Sequence, residues 1–209
     1  MNPMALSLIG IGANLGDLSQ QMFEVRRRLA DHPRIKLLAI SPNWSSLPIG
    51  GTAGQPGFRN AAALIDSDLE PVELLRHLQA IERALGRRPA SKGDARLMDL
   101  DLLLYGQEIL RSAELQIPHP WMVARRFVLG PAADIAPGMI DPVTGWTVGQ
   151  LWRRLRSEPP RFAWVGCHDR QLLTAVADQA GLTFIPDVGA GRLMKSSRGP
   201  VVGGGEQSL

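Results

Sequence analysis

The sequence predicts an α+β fold: a ferredoxin-like βαββαβ core, an antiparallel sheet with helices packed on it, plus C-terminal additions. Three observations predict it. Short apolar runs bounded by turn residues occupy 5–12, 34–46, 58–67 and 94–106, and each reads as a strand. Two stretches carry apolar residues at helical spacing, one after the first run and one after the third. The resulting order, β-α-β-β-α-β, is the split arrangement in which two helices cover an antiparallel sheet.

The first run, ALSLIGIG, ends in the turn GANLGD. Asp17 opens a helix, with Gln20 three residues on in near capping-box spacing. Leu18, Met22, Val25 and Leu29 form its apolar stripe, while Arg26, Arg27 and Arg28 read as a partly solvated basic surface. The second run, RIKLLAISPNWSS, contains Pro42, which confines it there to an edge or a bulge. A loop with four glycines and two prolines, LPIGGTAGQPG, leads to the third strand, FRNAAALIDS. Pro71 suits the first turn of a second helix, Leu74, Leu78, Ile81 and Leu85 form its stripe, and Gly86 ends it. A polar loop, RRPASKGDAR, then enters the fourth strand, DARLMDLDLLLYG.

Beyond Gly106 the pattern loosens. A loop leads to a short helix near 127–135, MIDPVTGWTV reads as a small hairpin, and Thr147 with Gln150 caps a helix running to about 156. Residues 1–156 form the expected domain, and 157–209 a C-terminal extension of unknown role that opens on the linker SEPPR. Within it, FAWVGCHDRQLLTAVADQAGLTFIPDVG reads as one more β-α-β piece, and the Gly- and Ser-rich tail from about 195 as disordered.

The bulk numbers narrow the class. In 209 residues, 44% hydrophobic and 21% charged composition permits a true core. A net charge of +3 suits a protein that handles phosphates but is too weak to argue for nucleic acid. The lone cysteine, Cys167, excludes an internal disulfide. No basic start with a long apolar run and no membrane-length apolar stretch is present. The expectation is a soluble cytoplasmic protein, monomeric or weakly homo-oligomeric, with small-molecule partners and neither nucleic acid nor membrane.

The chemistry concentrates in the fourth strand. Alternate strand residues face the same way, so Asp99 and Asp101 share a face and Leu100, Leu102 and Leu104 line the other. Two carboxylates about 7 Å apart along a strand repel each other unless a cation joins them. A hard cation such as Mg²⁺ takes carboxylate oxygen and brings substrate phosphates with it. Arg87, Arg88 and Arg96 bracket the approaching loop, and guanidinium suits phosphate oxygens. Gln79 and Glu82 lie off the apolar stripe of the second helix, near that loop. His119, in IPHP, either hydrogen-bonds a nucleotide or pins its own segment. Phe58 and Asn60 share a strand face, a pairing that can stack on and hydrogen-bond a flat heterocycle. No G-x-x-x-x-G-K-[ST] is present, and GIGANLG does not complete a dinucleotide fingerprint.

Five ordered stretches resemble the 6-hydroxymethyl-7,8-dihydropterin pyrophosphokinase family over roughly residues 5–156. They are IGIGANLGD, QPGFRNAAALIDSDLEPVELL, LQAIERALGR, ARLMDLDLLLYG and IPHPWMVARRFVLGPAADIAP. The resemblance implies transfer of pyrophosphate from ATP to the pterin hydroxymethyl group, with release of AMP, in folate biosynthesis. It implies that Asp99 and Asp101 hold two Mg²⁺ ions and that Arg87 and Arg96 stabilise charge on the transferred phosphates. Gln79, Glu82, His119 and Arg125 would then contact ATP. Phe58 and Phe127 would sandwich the pterin, Asn60 would read its edge, and Ser46 and Ile49 would line that pocket. Where the family carries Trp-Gly-Pro before the loop arginine, this chain has SKGDAR, one residue shorter. Two other classes compete: an Asp-x-Asp nucleotidyl- or glycosyltransferase, and an RNA-binding module, which the 5% aromatic content disfavours.

Overall fold

The computed structural model describes residues 4–46, 56–87 and 98–157, and three strands beyond them. The chain divides into two compact units, Met1–Arg153 and Arg154–Leu209.

In the first unit, β1 (Ala5–Ala13), α1 (Leu18–Ala30), β2 (Ile35–Ile40), β3 (Trp44–Ser46), β4 (Phe58–Ser67), α2 (Pro71–Ala84) and β5 (Asp99–Tyr105) follow one another. The sheet order is β2-β4-β1-β5, with β3 also paired to β4, and every pairing is antiparallel. This is the ferredoxin-like order expected from the sequence. Pro42 splits the second predicted strand into β2 and β3. Ser41 covers the break: its N–H donates to the Ala62 carbonyl, and its hydroxyl accepts from the Ala62 N–H, each at 2.9 Å.

The core lies under α1 and α2. Val25 and Leu29 from α1, and Leu74, Leu78 and Ile81 from α2, meet Ile9, Ile11, Ala61, Ala63, Ile65, Leu100 and Leu102 from the sheet. Both helices begin as their sequences direct. The Asp17 carboxylate accepts from the N–H groups of Ser19 and Gln20, both at 3.0 Å. Glu70 and Glu73 form a capping box ahead of Pro71. The arginines of α1 are surface groups; Arg27 and Arg28 pair with Glu24, which the Arg27 hydrogen bonds hold down at about 2.

One expectation fails on β5. Its register against β1 shifts between Leu8 and Ile9, so Leu103 is an extra residue opposite them. The bulge flips the alternation: Leu102 pairs with Ile9, but Leu104 pairs with Leu8. Leu104 is buried outside the cluster that holds Leu100 and Leu102. The bulge also turns the Leu103 carbonyl outward, where it accepts the His119 N–H at 2.9 Å.

Past β5 the chain forms a short hairpin, β6 (Leu110–Arg111) with β7 (Gln116–Ile117), which the sequence did not announce. A cis peptide at Ile117-Pro118 and a 3₁₀ turn (Met122–Ala124) lead to α3 (Arg126–Ile135). An isolated bridge between Ile140 and Thr147 marks the expected small hairpin. The Thr147–Gln150 capping box then opens α4 (Val148–Ser157).

α3 lies on the opposite face of the sheet from α1 and α2. A Cβ on Gly130 would come within 2.6 Å of the Trp44 ring, so only glycine permits this approach. Trp44 also donates from Nε1 to Asp134 of α3 at 2.7 Å and meets Trp152 of α4 edge-on at 5.4 Å.

In the second unit, β8 (Arg161–Trp164), β9 (Leu182–Phe184) and β10 (Arg192–Ser196) form an antiparallel sheet in the order β8-β10-β9. Lys195 and Ser196, the start of the stretch read from sequence as a tail, belong to β10. The helix expected between β8 and β9, and the rest of the tail, fall outside the described residues.

Candidate active site

The strand pleat and the register place a set of polar groups on the α3 side of the sheet. Asp99 pairs with Gly12, Gly12 with Asn60, and Asn60 with Trp44, so these four form one row across β5, β1, β4 and β3. The next row runs from Asp101 through Gly10 to Ala62. Both aspartates are half-buried, whereas their neighbours Leu100 and Leu102 are buried in the core.

The C-terminus of α2 builds one flank. Gly86 adopts φ 90°, which glycine tolerates, and closes the helix with paired bonds. Its N–H donates to the Arg83 carbonyl and the Arg87 N–H to the Glu82 carbonyl, both at 3.0 Å. This turn folds Arg87 back beside Glu82, and the two side chains form an ion pair. Arg87 Nη1 also lies 3.0 Å from Asp99 Oδ1.

Glu82 is only 4% exposed, not a solvated helix group. Its carboxylate accepts the Leu100 N–H at 2.7 Å, which locks α2 to the strand between the two aspartates. Burial pushes its carboxyl above the usual range, against the pull of the Leu100 N–H and of Arg87.

His119 stands on the outer side of β5. Its Nδ1 accepts the Trp121 N–H at 3.2 Å, which makes Nε2 the protonated nitrogen of the neutral ring. Burial holds its imidazole below the ordinary range, opposed by the Asp101 carboxylate. His119 and Asp101 share a cavity of about 280 Å³ with Leu75, Leu102 and Leu115. Gln79 is half-buried on α2, one turn before Glu82.

On the other flank, Asn60 is 4% exposed and donates from Nδ2 to the Ser46 hydroxyl at 2.9 Å. Phe58 pairs with Ser46 across β4 and β3 and shares the Asn60 face. Phe127 stands in the first turn of α3, with the Arg125 guanidinium 5.7 Å from its ring centre. Pro131 has no N–H to offer the Phe127 carbonyl one helical turn back.

The sequence-predicted residues therefore gather into linked groups: Glu82, Arg87 and Asp99; Asp101 and His119; Ser46, Phe58 and Asn60; Arg125 and Phe127. Ile49, Arg88 and Arg96 lie outside the described residues. Sequence reasoning missed Gly12, Trp44 and Gly130. The available signal was glycine inside a strand and a helix, where it weakens the element unless something needs the space.

Among the described residues, no cluster of three or more His, Cys, Asp or Glu is arranged to hold a metal ion. Asp99 and Asp101 instead offer two hard oxygen donors on one open face. That set fits a cation whose remaining ligands come from water and substrate phosphates.

Comparison with known proteins bears on this geometry. Residues 8–137 match the family model for 7,8-dihydro-6-hydroxymethylpterin-pyrophosphokinase. A 2-amino-4-hydroxy-6-hydroxymethyldihydropteridine pyrophosphokinase of Pseudomonas aeruginosa is 40% identical over 134 residues, covering 64% of this chain and 82% of that protein. A Synechocystis protein of the same name is 38% identical over 145 residues, covering 69% and 73%. The folic acid synthesis protein fol1 of Pneumocystis carinii is 35% identical over 147 residues, 70% of this chain but only 20% of that longer one. In fold, the chain is similar to the crystal structure of Plasmodium falciparum HPPK-DHPS with pteroate, at TM-score 0.60 and 12% identity, over 75% of this chain and 43% of that one.

Proposed function

The chain belongs to the 7,8-dihydro-6-hydroxymethylpterin-pyrophosphokinase family, and we propose which of its residues carry out the family's reaction. That reaction moves pyrophosphate from ATP to the hydroxymethyl group of 6-hydroxymethyl-7,8-dihydropterin and releases AMP. The Asp-x-Asp nucleotidyl- or glycosyltransferase reading is set aside by family membership. So is the RNA-binding one.

One observation carries the assignment: a single sheet face holds a carboxylate-and-arginine end and an amide-and-aromatic end, two strands apart. Asp99 and Asp101 would hold two Mg²⁺ ions, which would supply Lewis-acid polarisation of phosphoryl oxygen. Arg87, together with Arg96, stabilises charge on the transferred phosphates. Arg87 pairs with Glu82 and Asp99, which holds its guanidinium at the carboxylate end of the sheet face.

The cavity beside Asp101 and His119 takes the nucleotide, with Leu75, Leu102 and Leu115 as apolar walls for the base. The Nε2–H of His119 donates to a phosphate oxygen there. Gln79, Glu82 and Arg125 complete the ATP contacts, Glu82 chiefly by holding Arg87. Asn60 and Ser46 read the pterin edge between Phe58 and Phe127, with Ile49 in the same pocket. Phosphoryl transfer asks for alignment and charge stabilisation more than for a strong base. Residues 1–156 suffice for this work, and 157–209 form an extension.

The test is AMP release with ATP, Mg²⁺ and 6-hydroxymethyl-7,8-dihydropterin. Wild type turns over only when Mg²⁺ is present, and Asp99→Ala turns over roughly 10³-fold more slowly. A silent wild type overturns the reading.

A further inference from the structure

Gly12 is out of place by every structural criterion except one. It sits inside a central strand, paired on both sides, where glycine costs conformational entropy and packs nothing. No left-handed backbone requires it, since its φ lies outside that region. Nor, among the described residues, does crowding require it: a Cβ there would touch Asn60 Oδ1 alone, at an ordinary 3.5 Å.

Gly10, two residues earlier on the same face, makes the contrast. A Cβ at Gly10 would meet Leu103 Cδ1 and Cδ2 at 3.4 Å and Cγ at 3.5 Å. The bulged leucine already covers that position. Gly12 is left open, directly between Asp99 on β5 and Asn60 on β4. Adjacent strands stand about 4.8 Å apart, so the two side chains project from backbones roughly 10 Å apart, and the β1 residue between them, Gly12, contributes no side chain.

We propose that Gly12 is a specificity-determining residue: the open floor above it is the channel through which the acceptor's hydroxymethyl arm passes from the Asn60 end of the site to the Asp99 end. The inference rests on the assignment of Asn60 to the heterocycle and of Asp99 to the phosphates. A flat bicycle held at Asn60 reaches Asp99 only by lying over β1. Any side chain at position 12 rises into that path. The fold tolerates a methyl there; the acceptor does not.

The experiment compares wild type, Gly12→Ala and Gly10→Ala. Four quantities are measured for each: melting temperature, affinity for a non-hydrolysable ATP analogue with Mg²⁺, KM for 6-hydroxymethyl-7,8-dihydropterin, and kcat. Gly12→Ala is expected to melt no lower than wild type and to bind the ATP analogue within twofold. Its KM for the pterin is expected to rise at least tenfold, or its kcat to fall by that factor. Gly10→Ala, whose methyl packs on Leu103, keeps wild-type KM and kcat.

Wild-type KM and kcat in Gly12→Ala overturn the proposal. So does a melting temperature lowered by several degrees, because glycine is then held by the fold. An equal loss of ATP-analogue affinity also overturns it, since the channel belongs to the acceptor. A wild type that releases no AMP defeats the functional assignment instead, and the two failures are thus told apart.

Discussion

The two faces of the central sheet come from the same strands and are opposite in character. Toward α1 and α2, β1, β4 and β5 present Ile9, Ile11, Ala61, Ala63, Ile65, Leu100 and Leu102, all buried. Toward α3, at the end of the sheet where β3 pairs with β4, the alternate residues are Gly12, Asn60, Asp99 and Asp101; further along the same face Leu8, Ala62 and Leu104 are buried. A strand pleat thus separates stability from chemistry by one residue. Substitutions on the covered face should be read out in unfolding, and those at the polar end of the other face, Gly12, Asn60, Asp99 and Asp101, in turnover.

The sharpest way to break this division is at the aspartates. Asp99→Ala and Asp101→Ala should each lower kcat by roughly 10³-fold, about 4 kcal/mol of transition-state stabilisation. Neither should cost more than about 0.5 kcal/mol of stability, because both side chains are half-exposed. Steady-state AMP release and urea unfolding measure the two sides. If either variant unfolds as readily as a covered-face one, the division fails.

Leu102→Ala is the mirror experiment. Leu102 is 2% exposed and sits between the two helices and β1. Its truncation should cost about 2–5 kcal/mol of stability through lost burial and a cavity. At saturating ATP the folded fraction should retain near-normal kcat, while its KM for ATP should rise, because Leu102 also lines the nucleotide cavity. A large loss of kcat in the folded fraction would mean that the core side also tunes the site.

Glu82 belongs to both sides, and Glu82→Gln sharpens the comparison. The amide oxygen can still accept from the Leu100 N–H and from Arg87, but it carries no charge to hold the guanidinium. Activity should fall about 10–100-fold as Arg87 loses its orientation. Stability should not fall. Burial raises the Glu82 carboxyl, so the stability this group contributes is full below its unfolded value, near 4.5, and is lost as pH rises through the folded value. The variant's melting temperature should therefore match wild type near pH 4 and equal or exceed it at pH 7.

What the sequence disclosed follows from the range of the forces involved. The strand at Phe58–Ser67 and the aspartate pair were legible because pleat alternation and turn residues are local signals. The bulge at Leu103 was not, because it is defined only against Leu8 and Ile9 on another strand. Glu82 read as a helix-surface group until its contact with Leu100, eighteen residues on, was known. The side of the sheet taken by α3 depends on Gly130 meeting Trp44, a fit between distant residues that no periodicity announces.

The smallest expected effect lies on the helical side, far in character from the catalytic face. His77 of α2 packs on His32 with ring centres 4.4 Å apart and planes tilted by 59°, and its Nε2 is buried with no hydrogen-bond partner among the described residues. Burial, then the neighbouring His32, holds its imidazole below the usual range, against a backbone hydrogen bond involving Arg28. A depressed folded value means that the neutral ring contributes stability present above about 6.5 and lost as pH falls through the folded value. His77→Gln cannot gain a proton, so its melting temperature should fall less than that of wild type between pH 7 and pH 5. The difference should stay under about 1 kcal/mol, because solvent still screens part of the ring. Activity at pH 7.5 should be unchanged. A change in KM for either substrate would show that the covered face reaches the site through α2, whose C-terminus carries Glu82 and Arg87.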